Sequence, residues 1–255
     1  MNMFKNKIKA SLIHLSLSVV VVSFLMLVII YFWFPFSYLQ LTDFKEIVKL
    51  IIAIDLVLGP ILTFVIFNPK KKSLIFDLSV VAMIQVSALT YGVYALYQVH
   101  PLYITFAKNG FTLITARDAQ PQNAKHEEYK ISKLSSGKFA YAGFPKDEDK
   151  IKEIITDILF GSGVEIKHRI EHYKPYDAHI NDIVAKSLDP TTIFSDEETK
   201  EKVYSFLKEY KNDLDKFAYL PLDGAIKDAI IVIDKKTAKP ITNLNIDPWK
   251  YVKRK

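Results

Sequence analysis

The sequence predicts a membrane all-α three-helix N-terminal bundle followed by a small α+β soluble domain. Three observations predict it. Apolar runs of spanning length recur three times before residue 100, lysines are unevenly placed between them, and the composition turns polar and mixed afterwards. Residues 1–99 are read as the transmembrane domain, with spans at about 12–34, 47–67 and 74–97, and residues 100–255 as the soluble domain.

The first run, Leu12 to Phe34, is almost unbroken Leu, Val, Ile and Phe, relieved by His14 and small serines. At about 1.5 Å per residue it crosses a hydrocarbon core of roughly 30 Å. Lys5, Lys7 and Lys9 would suit a signal peptide, but the apolar region of such a peptide spans only about 7–15 residues and ends at small side chains. This run is longer and ends in Tyr31, Phe32, Trp33, Phe34 and Pro35, an aromatic interfacial belt, so an uncleaved span is expected. The second run, Ile47 to Phe67, carries Lys49, Asp55, Gly59, Pro60 and Thr63 and stops at Asn68-Pro69. The third, Leu74 to Tyr97, holds Asp77 and Gln85 and finishes among Tyr91, Tyr94 and Tyr97. Short links between the runs imply antiparallel neighbours.

Cytoplasmic flanks of short loops hold the excess of lysine. Lys5, Lys7 and Lys9 lie on the same side as Lys70 to Lys72, whereas the loop from Pro35 to Glu46 offers Lys45 alone. The N-terminus is therefore expected in the cytoplasm and residues 100–255 beyond the membrane, which in a two-membrane bacterium is the periplasm.

Beyond Pro101, the segments Leu102–Phe106 and Phe111–Thr115 flank Lys108-Asn109-Gly110, and Asn-Gly predicts a β-hairpin. Residues 118–150 read as an irregular or partly helical connection. Ile151, Ile154, Ile155, Ile158 and Leu159 recur at helical spacing, with Gly161 to end the helix. Ile180 to Leu188 suits a short helix, and Ser195-Asp196-Glu197-Glu198 reads as a capping-box start for a helix through Tyr210. Strands follow at Phe217–Leu222, Ala229–Asp234 and Pro240–Leu244, with a turn at Lys235-Lys236-Thr237.

Charge and composition narrow the function. The net +6 divides into +4 for residues 1–99, where eight lysines face four acids, and +2 for the remainder. A nucleic-acid module concentrates basic charge on its folded domain, so no nucleic-acid partner is expected. Absent cysteine removes thiolate metal sites and thiol nucleophiles. His168 and His172 are four apart, as in zinc proteases, but Arg169 stands where that pattern needs Glu, and Pro175 interrupts the stretch. Ser162 lacks the setting of a nucleophile elbow. Neither an enzyme nor a cofactor is expected.

The informative polar residues lie inside the spans. A charged side chain at mid-membrane costs about 2.5–3.5 kcal/mol on insertion scales, so Asp55, near mid-depth, needs a partner or a role. Pro60 lacks an N–H and is expected to free backbone near residue 56, making with Gly59 a kinked polar notch. Packing through Thr63 or Gln85 is the plainer reading of Asp55, and local pairing with Lys70 to Lys72 that of Asp77. Gly59, Ala88 and Gly92 suit close helix approach.

The run Lys7-Ile8-Lys9-Ala10-Ser11-Leu12-Ile13-His14-Leu15, then Asp55-Leu56-Val57-Leu58-Gly59-Pro60-Ile61-Leu62-Thr63, Asn68-Pro69-Lys70-Lys71, and Asp77 through Gln85 to Pro101-Leu102-Tyr103 resemble the type IV pilin accessory protein family. Phe217 to Leu222 and Asp247-Pro248-Trp249 are similar too, whereas His100 stands where arginine is expected. The resemblance implies a non-enzymatic protein of the bacterial inner membrane, a pilin-specific chaperone or assembly modulator. Its implied partners are a cognate type IV pilin and possible further pilus assembly components, besides the lipid bilayer. Such a pilin has a hydrophobic membrane helix and a periplasmic head, and Asp55, Gly59, Pro60, Asp77 and Gln85 are the candidate residues facing it. Alternatives are a membrane-anchored periplasmic sensor or ligand-binding protein, and a membrane enzyme or transporter subunit using Asp55.

Overall fold

The structure, a computed structural model, describes residues 2–145, 147–210 and 213–252. Helix α1 (Asn2–Trp33) starts well before its apolar run, because the lysine-rich lead contains no glycine or proline to stop it. The second run is α2 (Phe44–Ile52) and α3 (Gly59–Ile66), joined by a π-helical turn at Ala53–Leu58. The third is α4 (Leu74–Val99). Among the described residues these make three helices long and apolar enough to cross a membrane. Leu17, Phe24 and Leu27 on α1 stay 64–70% exposed. So large a bare apolar surface suits hydrocarbon rather than water.

The middle helix is the hub, with α1 packed on α3 and α4 packed on both α2 and α3. Toward the domain, Val22, Ile29 and Phe34 close on Phe44, Ile51, Leu96 and Val99. Gly92 permits that closure, since a Cβ there would lie 2.6 Å from Ile51 Cγ1. At the same end Trp33 lies 5.7 Å from Tyr97 and stacks at 5.2 Å on His100. His100 is wholly buried, its Nδ1 2.6 Å from the Tyr97 carbonyl and its Nε2 3.0 Å from that of Ser135. Ser136 Oγ donates to the Trp33 carbonyl at 2.8 Å, so the helix ends and the domain are tied together.

Strands β1 (Pro101–Ala107) and β2 (Gly110–Thr115) form the expected hairpin about Lys108-Asn109. The stretch 118–150, expected to be irregular or partly helical, contains a strand, β3 (Lys138–Ala142), before α5 (Glu148–Phe160). That strand was hidden because Lys138-Phe139-Ala140-Tyr141-Ala142 is short, and its burial comes from lying parallel to β1. A two-residue β4 (Tyr173–Lys174), α6 (Ile180–Val184), α7 (Pro190–Ser195) and α8 (Glu197–Tyr210) follow. The last strands, β5 (Phe217–Asp223), β6 (Ala229–Asp234) and β7 (Pro240–Leu244), fall where the sequence placed them.

The described strands make one seven-stranded sheet, in order β4-β3-β1-β2-β5-β6-β7. Most central strand residues are buried on both faces, which explains their near-continuous apolar runs. One face carries Ile104, Phe106, Leu113, Leu220 and Ile231, and the loop between α1 and α2 presses Tyr38 and Leu41 into it. The Leu41 carbonyl accepts from Ala225 N at 2.9 Å and Ile226 N at 3.1 Å. On the opposite face Tyr219, Ile230 and Val232 meet Ile193, Val203 and Phe206 from α7 and α8. Ser195 ends α7 rather than opening α8, whose first N–H groups turn toward the Asp196 carbonyl: Thr199 N donates to it at 3.1 Å. The Glu197 and Glu198 side chains of the expected capping box lie outside the described residues.

Candidate functional site

Two concavities are candidates. The first lies in the half of the bundle away from the domain. Below Trp33 and Tyr97, α1 and α4 part and leave a cavity of about 520 Å³, floored by the middle helix. Its walls are apolar rows at helical spacing, Ile13, Leu17 and Val21 facing Leu78, Ala82 and Val86. Asp55, Thr63, Gln85, His14 and Ser18 supply its polar atoms.

The floor follows from one backbone irregularity. In the π-helical turn the Gly59 N–H reaches back to the Ile54 carbonyl, five residues away. In that register the Asp55 carbonyl would take the N–H of residue 60, and proline has none. Gln85 Nε2 of α4 donates to that carbonyl instead, at 3.4 Å. Gly59 makes room for it, because any Cβ at this position would collide with the Gln85 amide. The freed group is thus the carbonyl of Asp55 itself, one residue before the expected position. The geometry gives Gln85 a hydrogen bond to this backbone atom and leaves Asp55 Oδ2 without one.

Asp55 is 4% exposed, and its Oδ2 has no hydrogen-bond partner among the described residues. Polar side chains of α1 bond instead to the middle helix. Ser11 Oγ donates to the Pro60 carbonyl at 2.8 Å, His14 Nδ1 lies 2.5 Å from Thr63 Oγ1, and Lys7 Nζ donates to the Val65 carbonyl at 3.0 Å. Of the expected residues, Asp55 and Gln85 line the cavity, and Gly59 and Pro60 lie buried behind them. Asp77 is set apart, in an ion pair with Lys71. Sequence reasoning missed Ser11, His14 and Ser18 as a group. Their signal is spacing, since three and then four residues separate them and align them on one face of α1.

The second concavity, of about 750 Å³, lies in the soluble domain and is lined by Asp118, Asp157, His168, Arg169 and Glu171 among others. Two of its charges satisfy each other, Arg169 pairing with Asp157. Hydrogen bonds from Ser162, then Arg169, lower the Asp157 carboxyl to about 2. His168 and His172 do not share a helix face as expected. Pro175 and the polar sequence leave them in separate 3-10 turns, where burial lowers both below the ordinary histidine value. His179 lies apart, stacked on Tyr141 at 3.9 Å. Among the described residues no three His, Asp or Glu come together as a metal-holding group.

Fold and site together define a three-helix membrane protein with an attached α+β domain and a groove open within its apolar half. A family model described as fimbrial assembly protein FimB matches residues 2–42. The fimbrial assembly protein of serogroups C1 and C2 from Dichelobacter nodosus is 36% identical over 112 residues, 43% of this chain and 86% of that protein. That of serogroup I is 36% identical over 112 residues, 43% of this chain and 44% of its own length. That of serogroup E1 is 27% identical over 248 residues, covering 94% of this chain and 95% of that protein. No solved structure matches the chain. The chain belongs to the fimbrial assembly protein family, which supports a role in fimbrial assembly.

Proposed function

We propose that the protein promotes or modulates type IV pilus assembly by binding its cognate pilin in the inner membrane, as a chaperone that holds the pilin before assembly. The bundle receives the pilin's membrane helix, and the periplasmic domain touches its head. The observation that carries this reading is the groove between α1 and α4, a side-on opening within the apolar slab. A protein that only anchors a domain gains nothing from leaving two helices apart there.

The lysine distribution supports a cytoplasmic N-terminus, with Lys5, Lys7, Lys9 and Lys70 to Lys72 at one end and the domain at the other. The loop carrying Tyr38 and Leu41 packs into the sheet core, which puts that loop and the domain on one side. Because the chain has no cysteine, single-cysteine labelling reads this directly. Lys150→Cys is expected to react with an impermeant maleimide when the outer membrane alone is opened, and Lys71→Cys only after lysis. The reverse pattern would reject the orientation. For function, deleting the gene is expected to lower the surface pilus count, and pilin is expected to co-purify with the tagged protein. Unchanged pili together with no captured pilin would reject the reading.

A further inference from the structure

We propose that the groove between α1 and α4 is a binding site for one face of a transmembrane helix that presents a hydrogen-bond donor to Asp55. That the helix belongs to a pilin rests on the function proposed above; that the occupant is a helix with a donor rests on the geometry alone.

Shape gives the helix. Each wall is a single ridge, Ile13, Leu17 and Val21 on one side and Leu78, Ala82 and Val86 on the other, with steps of four residues. Ridges at this spacing accept the ridge of a third helix between them. From Ala10 to Val22 the α1 wall runs about 18 Å at about 1.5 Å per residue, roughly three turns. Ala10, Ser18 and Ala82 are small, which lets another backbone come close where lipid chains would otherwise lie.

Chemistry gives the donor. A buried polar oxygen in hydrocarbon without a partner is costly, and acyl chains carry no donor. No described residue donates to Asp55 Oδ2, and the bonds found for Gln85, His14 and Ser11 go to other oxygens. A lipid-filled groove therefore leaves Asp55 unsatisfied, whereas a helix bearing an amine, amide, hydroxyl or protonated carboxyl at that depth completes it. Gln85 caps the freed Asp55 carbonyl at the groove floor, where Asp55 is itself one of the lining residues.

The test uses the full-length protein in membranes of piliated cells. A photo-crosslinking residue is placed at Leu17 or Val86 in the walls, and at Val19 or Ile84 as lipid-facing controls of similar depth. Crosslinks to a second protein are expected from the wall positions and not from the controls. Mapping by mass spectrometry is expected to place them in a transmembrane helix. Asp55→Leu is expected to cut the wall crosslink about tenfold, the effect of about 1.4 kcal/mol, with this protein's abundance unchanged. Asp55→Asn, which keeps an acceptor oxygen, is expected to lose less. Should Asp55→Leu fail to accumulate, Ala82→Leu decides the matter, since it fills the groove and leaves Asp55 intact. Crosslinks equal at wall and control positions, to lipid alone, or to a second copy of this chain would overturn the proposal. A groove-specific crosslink to a helix that is not a pilin's sustains the site and rejects the pilin. Pilin capture without any wall crosslink does the opposite.

Discussion

Single residues set how closely the helices approach. Gly92 lies where α4 crosses α2, and the side chain it faces, Ile51, is itself 3% exposed and has nowhere to retreat. Gly92→Leu is therefore expected to destabilise the bundle by about 1–3 kcal/mol, the usual cost of overpacking, measured as thermal unfolding in mild detergent. Gly59 does a different task at a similar contact. Its missing Cβ admits a polar amide, so enlarging it removes the cap from the Asp55 carbonyl as well as crowding α4. His100 shows one residue replacing another by geometry. Where the family resemblance leads one to expect arginine, an imidazole faces two carbonyls and stacks on Trp33, joining three segments without a long side chain.

At the scale of elements, the middle helix is decided by its π-helical turn. An extra residue in one turn changes the angular phase of everything beyond it, and this turn carries Asp55 to the groove floor. Pro60 leaves the Asp55 carbonyl free for Gln85, because in this register the donor to that carbonyl would be the N–H that proline lacks. Pro60→Ala restores that N–H, which is expected to displace the Gln85 amide from the Asp55 carbonyl. The wall crosslinks from Leu17 and Val86 are then expected to fall about as far as in Asp55→Leu, while protein abundance holds. Retained crosslinking in Pro60→Ala would show that the Gln85 cap does not position the acid. In the soluble domain, α7 and α8 cover one end of the sheet through Ile193, Val203 and Phe206. Their crossover allows β5 to lie parallel to β2 instead of continuing the chain's hairpin pattern.

For the whole molecule, the buried His100 and the half-buried His168 and His172 shape the response to acid. Burial lowers His100, His168 and His172 below the ordinary value of 6.5, outweighing the carbonyls that act in the other direction at His100. The unfolded chain then binds protons that the folded chain refuses, so stability is full above about pH 6.5 and declines as pH falls below it. Thermal unfolding of the detergent-solubilised protein is expected to shift down between about pH 7.5 and 5, and His100→Gln to flatten that slope. Asp157 adds a later stage. Its carboxyl is held at about 2, so its contribution is present above 3.8 and lost as pH falls from there toward 2. A melting temperature that rises on acidification to pH 5 would refute the assignment of these histidines.

What the sequence determined by itself is whatever rests on local order. The three spans follow from uninterrupted apolar length, the hairpin from Asn109-Gly110, and β5 to β7 from β-branched and aromatic runs bounded by turns. Asp55 and Gln85 were legible because polar groups in an apolar run stand out whatever the fold. Only the tertiary structure decided the rest. The strand Lys138–Ala142 exists by pairing with β1, Tyr38 and Leu41 become core residues by reaching into a sheet built far along the chain, and His168 and His172 separate. The groove belongs to this second group, since an opening between α1 and α4 depends on how two helices lean on a third. Spacing along one strand of sequence carries no record of such an angle; it is set by which side chains, here Gly92 against Ile51 and Gly59 beneath Gln85, let the helices meet.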